Sequence, residues 1–214
     1  MRFSTVLFDL DGTLTDSQDG IVSSYQHALA AFGIDADDAS IKAWIGPPLQ
    51  DGFAALGVPA AQVPAAIDRY RAYFAEIGIH RNRLYDGVPA MLAELDRAGV
   101  TLGLATSKLV DFAEQIVAQF AIAEHFEVIA GAARDGSRIN KADIVAFALE
   151  SLGWPQPGSA ALVGDRGDDM RAAVHHGLFP VGVSWGYGNN EELQASGSQM
   201  IIDHPSAVTG LLAS

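Results

Sequence analysis

Phe3-Ser4-Thr5-Val6-Leu7-Phe8, followed by Asp9-Leu10-Asp11-Gly12-Thr13, is the stretch that decides the fold of this 214-residue chain. Its first part is an apolar run of the kind found in strands that are buried on both faces of a parallel sheet. In an extended segment residues i and i+2 point to the same side, so Asp9 and Asp11 can face one ligand. Gly12 then lets the chain turn away sharply. The stretch therefore predicts a buried strand that ends in a pair of carboxylates.

Composition limits the partners that this chain can have. Its formal net charge is −13 and its sequence pI is about 4.6, which disfavours nucleic-acid polymers and anionic membranes because both bind basic faces. No apolar run approaches the roughly 20 residues that a membrane helix needs. Cysteine is absent, which excludes disulfides and thiolate metal sites. We expect a cytoplasmic monomer or homodimer that needs local positive charge to bind an anionic ligand.

Short apolar runs alternate with segments of helical period along most of the chain, which is typical of an α/β protein with a parallel sheet. The further strand candidates are Val100–Ala105, Glu127–Ala130, Ala160–Val163, Pro180–Val183 and a weaker run at Gln199–Ile202. Helices are expected at 88–98, 110–120 and 142–152. Gly99 and Gly153 follow two of these segments and can take the left-handed conformation that ends a helix. We predict a Rossmann-like α/β core built on a parallel sheet.

The segment 16–83 interrupts this alternation. It lacks a good strand run and carries amphipathic helical segments at 21–32, 39–45, 50–56 and 61–77. Gly33, Gly57 and Gly78 follow three of these segments and are expected to close them. So much helix exceeds what one crossover between parallel strands requires. We therefore predict a core made of residues 1–15 and 84–214, with a helical domain of residues 16–83 inserted after the first strand.

Polar or charged residues follow four of the predicted strands, at the sheet edge where ligands bind to parallel sheets. The four segments are Asp9–Thr13, Thr106-Ser107-Lys108, Arg138-Ile139-Asn140-Lys141 and Gly164-Asp165. Any one of them is also compatible with a helix cap or a turn, where Asp, Asn, Ser and Thr are preferred. Four in succession are hard to explain in this way, and they indicate a functional site.

The residue types at these strand ends favour phosphoryl transfer with a divalent metal. Carboxylates gathered in one cleft repel one another unless a hard cation neutralises them, and Mg²⁺ commonly binds one or two carboxylates plus phosphate oxygens. Asp165 can supply the third carboxylate beside Asp9 and Asp11. Lys141 and the hydroxyl of Thr106 can stabilise the equatorial oxygens of a phosphoryl group.

These motifs, taken in order along the chain, resemble the four motifs of the haloacid dehalogenase superfamily. The residues that carry the resemblance are Asp9-Leu10-Asp11-Gly12-Thr13, Thr106, Lys141, and Gly164-Asp165 with Asp169. Within the superfamily, the chain resembles the phosphoglycolate phosphatase-like and 5′-nucleotidase-like branch. Marks of that branch are Ile45-Gly46-Pro47-Pro48-Leu49, Tyr85-Asp86-Gly87-Val88 and Trp185-Gly186-Tyr187-Gly188.

The resemblance implies a role for each acidic residue. Asp9 is the expected nucleophile, which forms an aspartyl-phosphate, and Asp11 the general acid and base. Mg²⁺ is expected to bind the carboxylates of Asp9 and Asp165 and the backbone carbonyl of Asp11. Asp169 is expected to order a metal-bound water or Lys141, or to bind the metal directly.

The resemblance also implies how a small phosphorylated metabolite is bound. Phosphate oxygens are expected to contact Thr106 and the backbone around Ser107, together with Gly12 and Thr13. The helical insert is expected to be a C1-type cap that selects the substrate. Its candidate substrate contacts are Trp44, Pro47, Pro48 and Leu49, although Trp44 could instead pack the cap.

Arg166 is a departure from the family pattern, because many relatives have a small Ser or Thr after the motif-four Asp. Its side chain either changes the charge near the site or faces solvent and offsets Asp168 and Asp169.

The function implied is Mg²⁺-dependent hydrolysis of a phosphomonoester, and other functions stay open. A sugar-phosphate mutase of the same superfamily is the enzymatic alternative. A receiver-like signalling protein, or a non-catalytic protein that binds a phosphorylated ligand, is the alternative from a different class. Asp11 disfavours hydrolytic dehalogenation, since dehalogenases of the family lack the second acidic residue of motif one.

Overall fold

Strand β1 (Thr5–Phe8) lies in the middle of a six-stranded sheet in the structure, a computed structural model that describes residues 3–210. The other strands are β2 (Thr15–Asp16), β3 (Arg83–Leu84), β4 (Thr101–Leu109), β5 (Val128–Ala132), β6 (Ala160–Gly164), β7 (Phe179–Val183) and β8 (Met200–Ile202). The large sheet has the order β5-β4-β1-β6-β7-β8, and all of its neighbouring strands are parallel. β2 and β3 form a separate two-stranded sheet. The predicted parallel α/β core is confirmed.

The register of the central strands brings their polar ends together. Phe8, the last residue of β1, pairs with Leu104 of β4 on one side and with Val163 of β6 on the other. β1 is fully apolar apart from Thr5 and is buried throughout, as expected of a strand covered on both faces. The residues that follow Phe8, Leu104 and Val163 therefore lie along one edge of the sheet.

The chain divides into two compact units. The larger contains the chain up to Asp16 and from Leu84 onward, and the smaller is Ser17–Arg83. The smaller unit contains helices α1 (Gln18–Ala30), α2 (Asp38–Lys42), α3 (Leu49–Ala55) and α4 (Val63–Glu76). The larger contains α5 (Val88–Arg97), α6 (Val110–Gln119), α7 (Lys141–Ser151), α8 (Gly167–His175), α9 (Asn190–Ala195) and α10 (Ser206–Thr209). Of the described helices, none is long and apolar enough to cross a membrane.

An aromatic cluster forms the core of the helical unit. Tyr25 of α1 lies 4.7 Å from Phe53 of α3 and 5.1 Å from Tyr70 of α4, measured between ring centroids. Tyr70 also stacks on Phe74 one turn later, at 5.9 Å. Such pairs add to the free energy gained by burying the rings. The three helices are therefore joined by one apolar contact region within this unit.

Glycine ends most of the predicted helices, with one exception. Gly33 and Gly57 have φ values of +67° and +96°, which confirms them as left-handed helix ends. The same prediction for Gly78 is wrong, because Gly78 starts a short 3₁₀ helix, Gly78–His80. A Cβ atom on Gly78 would lie 2.6 Å from the Ser24 hydroxyl and 2.8 Å from the Gly20 carbonyl oxygen. Gly78 is needed for close packing against α1, not for a left-handed turn.

Gly20→Ala should destabilise the protein by about 1–3 kcal/mol, the usual cost of forcing a methyl group into a packed interior. The added Cβ would overlap the Gly78 carbonyl oxygen and lie 3.1 Å from the Arg81 carbonyl oxygen. Thermal denaturation followed by circular dichroism measures the effect. The matched control is Gly210→Ala, because Gly210 has a helical φ of −62° and no atom of residues 3–210 lies within 4 Å of an added Cβ. Equal melting temperatures for the two variants would contradict this packing.

Candidate active site

The loop after β1 is a tight turn built around one carbonyl group. The backbone N–H groups of Thr13, Leu14 and Thr15 all donate to the Leu10 carbonyl oxygen, at 3.2, 2.9 and 2.9 Å. Gly12 has a φ of +86°, and a Cβ atom there would overlap the carboxylate of Asp165. Glycine is therefore required at this position both by the backbone conformation and by the neighbouring carboxylate.

Lys141 joins two of the predicted acidic residues. Its Nζ lies 2.5 Å from Oδ1 of Asp9 and 2.6 Å from Oδ1 of Asp169. All three side chains are buried, with exposed fractions of 6%, 9% and 2% for Lys141, Asp9 and Asp169. Lys141 is the first residue of α7, so the start of this helix places its ammonium at the end of β1.

Three buried carboxylates converge beside this ammonium. Asp9, Asp165 and Asp169 each present one oxygen, and these oxygens lie within 4.8 Å of one another. Asp165 accepts hydrogen bonds from the Thr13 hydroxyl at 3.3 Å and from the Tyr187 N–H at 2.8 Å. The structure thus brings together three of the four predicted metal-binding residues through their side chains.

The crowding of these charges shifts their pKa values. Burial, only partly opposed by Lys141, raises the pKa of Asp9 to about 7, and nearby Asp169 adds to the rise. Burial and the charges of Asp9 and Asp169 raise the pKa of Asp165 well above its ordinary value. Burial would lower the pKa of Lys141, but Asp169 and Asp9 outweigh it and raise that pKa. The cluster therefore has more negative charge than one ammonium neutralises, which fits a site for a hard divalent cation.

The carboxylate of Asp11 forms an ion pair with a different lysine, Lys108. Asp11 Oδ2 lies 2.8 Å from Lys108 Nζ, and the two side chains are only 11% and 6% exposed. Among the described residues, the cluster that could hold a metal through side chains does not include Asp11. The sequence placed Lys108 at a strand end, on the same side of an extended segment as Thr106, which indicated that it faces the site but not which residue it contacts.

Thr106 and Ser107 lie near the end of β4, the strand next to β1, which Asp9 follows. Thr106 is buried, and its hydroxyl accepts a hydrogen bond from the Lys108 N–H at 3.3 Å. Ser107 is half-buried. Their contact with phosphate remains a prediction.

The segment Trp185–Gly188, identified in the sequence only as a mark of the branch, packs against motifs one and four. The indole N–H of Trp185 donates to the Thr13 carbonyl oxygen at 3.0 Å, in addition to the Tyr187 bond to Asp165. A Cβ on Gly186 would overlap the Asp165 side chain and the Gly12 carbonyl oxygen, and one on Gly188 would overlap the Asp165 carbonyl oxygen. The segment fixes the position of Asp165.

Arg166 pairs with Glu192 of α9. Its Nε donates to Glu192 Oε1 at 3.0 Å, and the same oxygen accepts the Gly167 N–H at 2.8 Å. Asp168 instead pairs with Arg171, at 2.6 Å. The idea that Arg166 faces solvent to offset Asp168 is therefore wrong, since its side chain is only 15% exposed. Its backbone N–H donates to Asp169 Oδ2 at 3.0 Å, so this pairing lies next to the acidic cluster.

The four candidate substrate contacts of the insert all belong to the helical unit. Trp44 follows α2, Pro47 and Pro48 lie in the loop before α3, and Leu49 is the first residue of α3. All four are half-buried. A Cβ on Gly52 would lie 3.2 Å from the Trp44 Cβ, so Trp44 packs against α3 inside its own unit. Contact between these residues and a substrate remains a prediction.

Comparison with known proteins gives relatives with different names. A tyrosine-protein kinase PtkA from Mycobacterium tuberculosis is 42% identical over 207 residues, which cover 96% of this chain and 70% of that protein. A 5′-nucleotidase from Pseudomonas aeruginosa is 40% identical over 197 residues, which cover 91% of this chain and 89% of that protein. The crystal structure of a predicted phosphatase from Clostridium acetobutylicum has a TM-score of 0.94 and 36% identity, and the match covers 100% of this chain and 99% of that one.

The family model of the haloacid dehalogenase-like hydrolases matches residues 6–183, from β1 to the end of β7. This range contains the acidic pair after β1, Lys141 and the acidic residues after β6. The resemblance found in the motifs is thereby confirmed. The chain belongs to the haloacid dehalogenase-like hydrolase family and is an enzyme of its phosphatase type.

Proposed function

We propose that this enzyme is a Mg²⁺-dependent phosphomonoesterase that acts on a small phosphorylated metabolite through an aspartyl-phosphate at Asp9. The observation that carries the proposal is the buried Asp9 carboxylate, bound by Lys141 through one oxygen and placed beside Asp165 and Asp169. A carboxylate held in one orientation next to positive charge is suited to attack phosphorus, since phosphoryl transfer depends mainly on position and electrostatics.

The two carboxylates after β1 divide the reaction between them. In the first step Asp9 attacks phosphorus, the ester P–O bond breaks, and Asp11 gives its proton to the leaving alcohol oxygen. In the second step Asp11 takes a proton from water, the water oxygen attacks phosphorus, and the bond to Asp9 breaks. Inorganic phosphate leaves and the Asp9 carboxylate is regenerated.

Asp9 and Asp165 would hold Mg²⁺ through their carboxylates, and Asp11 through its backbone carbonyl. When bound, Mg²⁺ supplies charge that offsets the carboxylates and the incoming phosphate. The fit rests on the oxygen-only donor set, on the raised pKa values of Asp9 and Asp165, and on the charge balance. Asp9, Asp165 and Asp169 bring three carboxylates to one ammonium, that of Lys141, so one divalent cation brings the formal charge of this cluster to neutrality. Asp169 is engaged by Lys141 and by the Arg166 N–H, which suits it to orienting these groups.

The substrate is a small phosphomonoester. The relative named 5′-nucleotidase favours a mononucleotide, and a second relative, a phosphoglycolate phosphatase from Caulobacter vibrioides, is 31% identical over 223 residues. The relative named tyrosine-protein kinase supports a second candidate, transfer of phosphate to an acceptor other than water. A sugar-phosphate mutase is a further case of such transfer. A cytoplasmic location, a monomeric or homodimeric state and the lack of nucleic-acid or membrane partners remain predictions.

Asp9→Asn should abolish phosphate release, with a loss of about 10³-fold or more in kcat, because an amide cannot act as the nucleophile. The measurement is Mg²⁺-dependent phosphate release from 5′-mononucleotides and phosphoglycolate. Asp168→Asn is the matched control, since Asp168 lies on the exposed side of α8 and pairs with Arg171. Activity of Asp9→Asn within tenfold of the wild type would refute the assignment of Asp9.

The second prediction concerns the metal and the acceptor. A chelator should stop phosphate release, Mg²⁺ should restore it, and Ca²⁺ should inhibit because its larger coordination shell misplaces the nucleophile.

Glucose 1-phosphate with a trace of the 1,6-bisphosphate should yield free phosphate faster than glucose 6-phosphate. ATP with a tyrosine-containing peptide should yield no phosphopeptide.

Two outcomes would contradict this set of expectations. Full activity in excess chelator would remove the role of the metal. Faster formation of glucose 6-phosphate or of phosphotyrosine than of free phosphate would show that the acceptor is not water.

A further inference from the structure

We propose that Lys108 is a positioning residue that holds the Asp11 carboxylate away from the metal-binding cluster and toward the leaving group of the substrate. The inference rests on the proposed function, because it assigns Lys108 a part in the protonation of the leaving alcohol. Neither the composition nor the motifs predict it. It follows from the contact between Lys108 Nζ and Asp11 Oδ2 at 2.8 Å.

The carboxylates of the site pair with two different lysines, although the charge of Asp11 also acts on nearby Asp9. Lys141 forms ion pairs with Asp9 and Asp169, whereas Lys108 forms an ion pair with Asp11. The oxygens of Asp9, Asp165 and Asp169 lie within 4.8 Å of one another, and Asp11 is not part of that group among residues 3–210. Two carboxylates only two residues apart thus have different surroundings, which is what their different tasks require.

The backbone on both sides of the Lys108–Asp11 pair is fixed. Asp11 forms a β-bridge with Thr15 inside the tight turn after β1. On the other side, a Cβ on Gly131 of β5 would lie 2.8 Å from the Lys108 carbonyl oxygen and 2.7 Å from the Val110 Cα. β4 also shifts its register against β5 between Ala105 and Leu109. This irregular, tightly packed strand end sets where Lys108 can place its ammonium.

The orientation of the Asp11 side chain matters because a metal ion attracts every carboxylate within reach. An Asp11 side chain that swung toward Asp9 and Asp165 would become a metal ligand and could no longer exchange a proton with the leaving group. The contact with Lys108 opposes this movement in both states of Asp11: it is a buried ion pair while Asp11 is a carboxylate, and a hydrogen bond from the ammonium while Asp11 carries its proton. Lys108 thereby acts on the reaction through Asp11.

The test uses two substrates that differ in how much their leaving group needs a proton. The alcohol of glycerol 2-phosphate is a poor leaving group that requires protonation, whereas p-nitrophenolate leaves without it. Lys108→Met should lower kcat by about 10²-fold or more on glycerol 2-phosphate, the size of a general-acid contribution. On p-nitrophenyl phosphate the loss should stay below about tenfold.

Matched variants separate this role from a structural one. Asp11→Asn should show the same dependence on the leaving group. Adding Lys108→Met to Asp11→Asn should cost little more, because residues that act as one unit are not additive. Lys108→Arg should restore part of the activity on glycerol 2-phosphate. If Lys108→Met does not fold, as judged by circular dichroism, the Asp11→Asn background, which leaves no unpaired carboxylate, provides the comparison.

Three results would overturn the inference. The first is an equal loss in kcat of Lys108→Met on both substrates. The second is a change of Lys108→Met confined to KM, which would mean that Lys108 binds the substrate directly. The third is additive losses in the double variant of Lys108→Met and Asp11→Asn. A wild-type enzyme that releases no phosphate from either substrate with Mg²⁺ would instead refute the proposed function itself. The two failures are therefore distinguishable.

Discussion

The arrangement of the site depends on one buried ammonium group. Lys141 contacts Asp9 at the end of β1 and Asp169 in the first turn of α8, and so connects three elements that are distant in sequence. Without this charge, two carboxylates in a largely water-free environment would repel each other and become protonated. Even with it, burial raises the pKa of Asp9 to about 7. The folded protein thus tolerates a concentration of buried negative charge that is typical of functional sites.

The backbone contributes to the site through close approach as much as through hydrogen bonds. Gly12 and Gly186 lie so near Asp165 that a Cβ on either would overlap its side chain, and a Cβ on Gly164 would overlap Asp169. The glycines of the motifs therefore make room for the acidic side chains, and the Tyr187 N–H then fixes one oxygen of Asp165. A site packed in this way restricts its carboxylates to a narrow range of positions and so pre-organises them.

The sequence predicted the sheet well because buried strands carry a strong local signal. Val6, Leu7 and Phe8 need burial on both faces, and the acidic residues follow them directly. The features it missed depend on contacts between distant segments. Gly78 was expected to end a helix, but glycine can also allow close packing, and the neighbouring Gly20 shows that this is its role here. The partners of Lys108 and Arg166 were also unpredictable, since a charged side chain at a strand end or helix start has many possible partners in sequence and one in space.

The differing names of the relatives have a physical explanation in the chemistry of the larger unit. In the proposed reaction, Asp9, Lys141 and the acidic cluster carry out the transfer of a phosphoryl group to Asp9. Three reactions would share that step: hydrolysis, the isomerisation of sugar phosphates by a mutase, and the phosphorylation of a protein. They differ in the group that accepts the phosphoryl group next. The acceptor must be activated by a base, and Asp11 is positioned for this by Lys108 whichever acceptor it meets.

Nothing in these charges distinguishes water from a hydroxyl group, so the choice must come from residues that admit or exclude larger acceptors. The strong net negative charge adds a general constraint, because an anionic acceptor is repelled unless buried cations attract it. Water and an uncharged hydroxyl group both escape this repulsion, so the charge disfavours a sugar phosphate as the acceptor and leaves water and a tyrosine hydroxyl to be separated by access to the site.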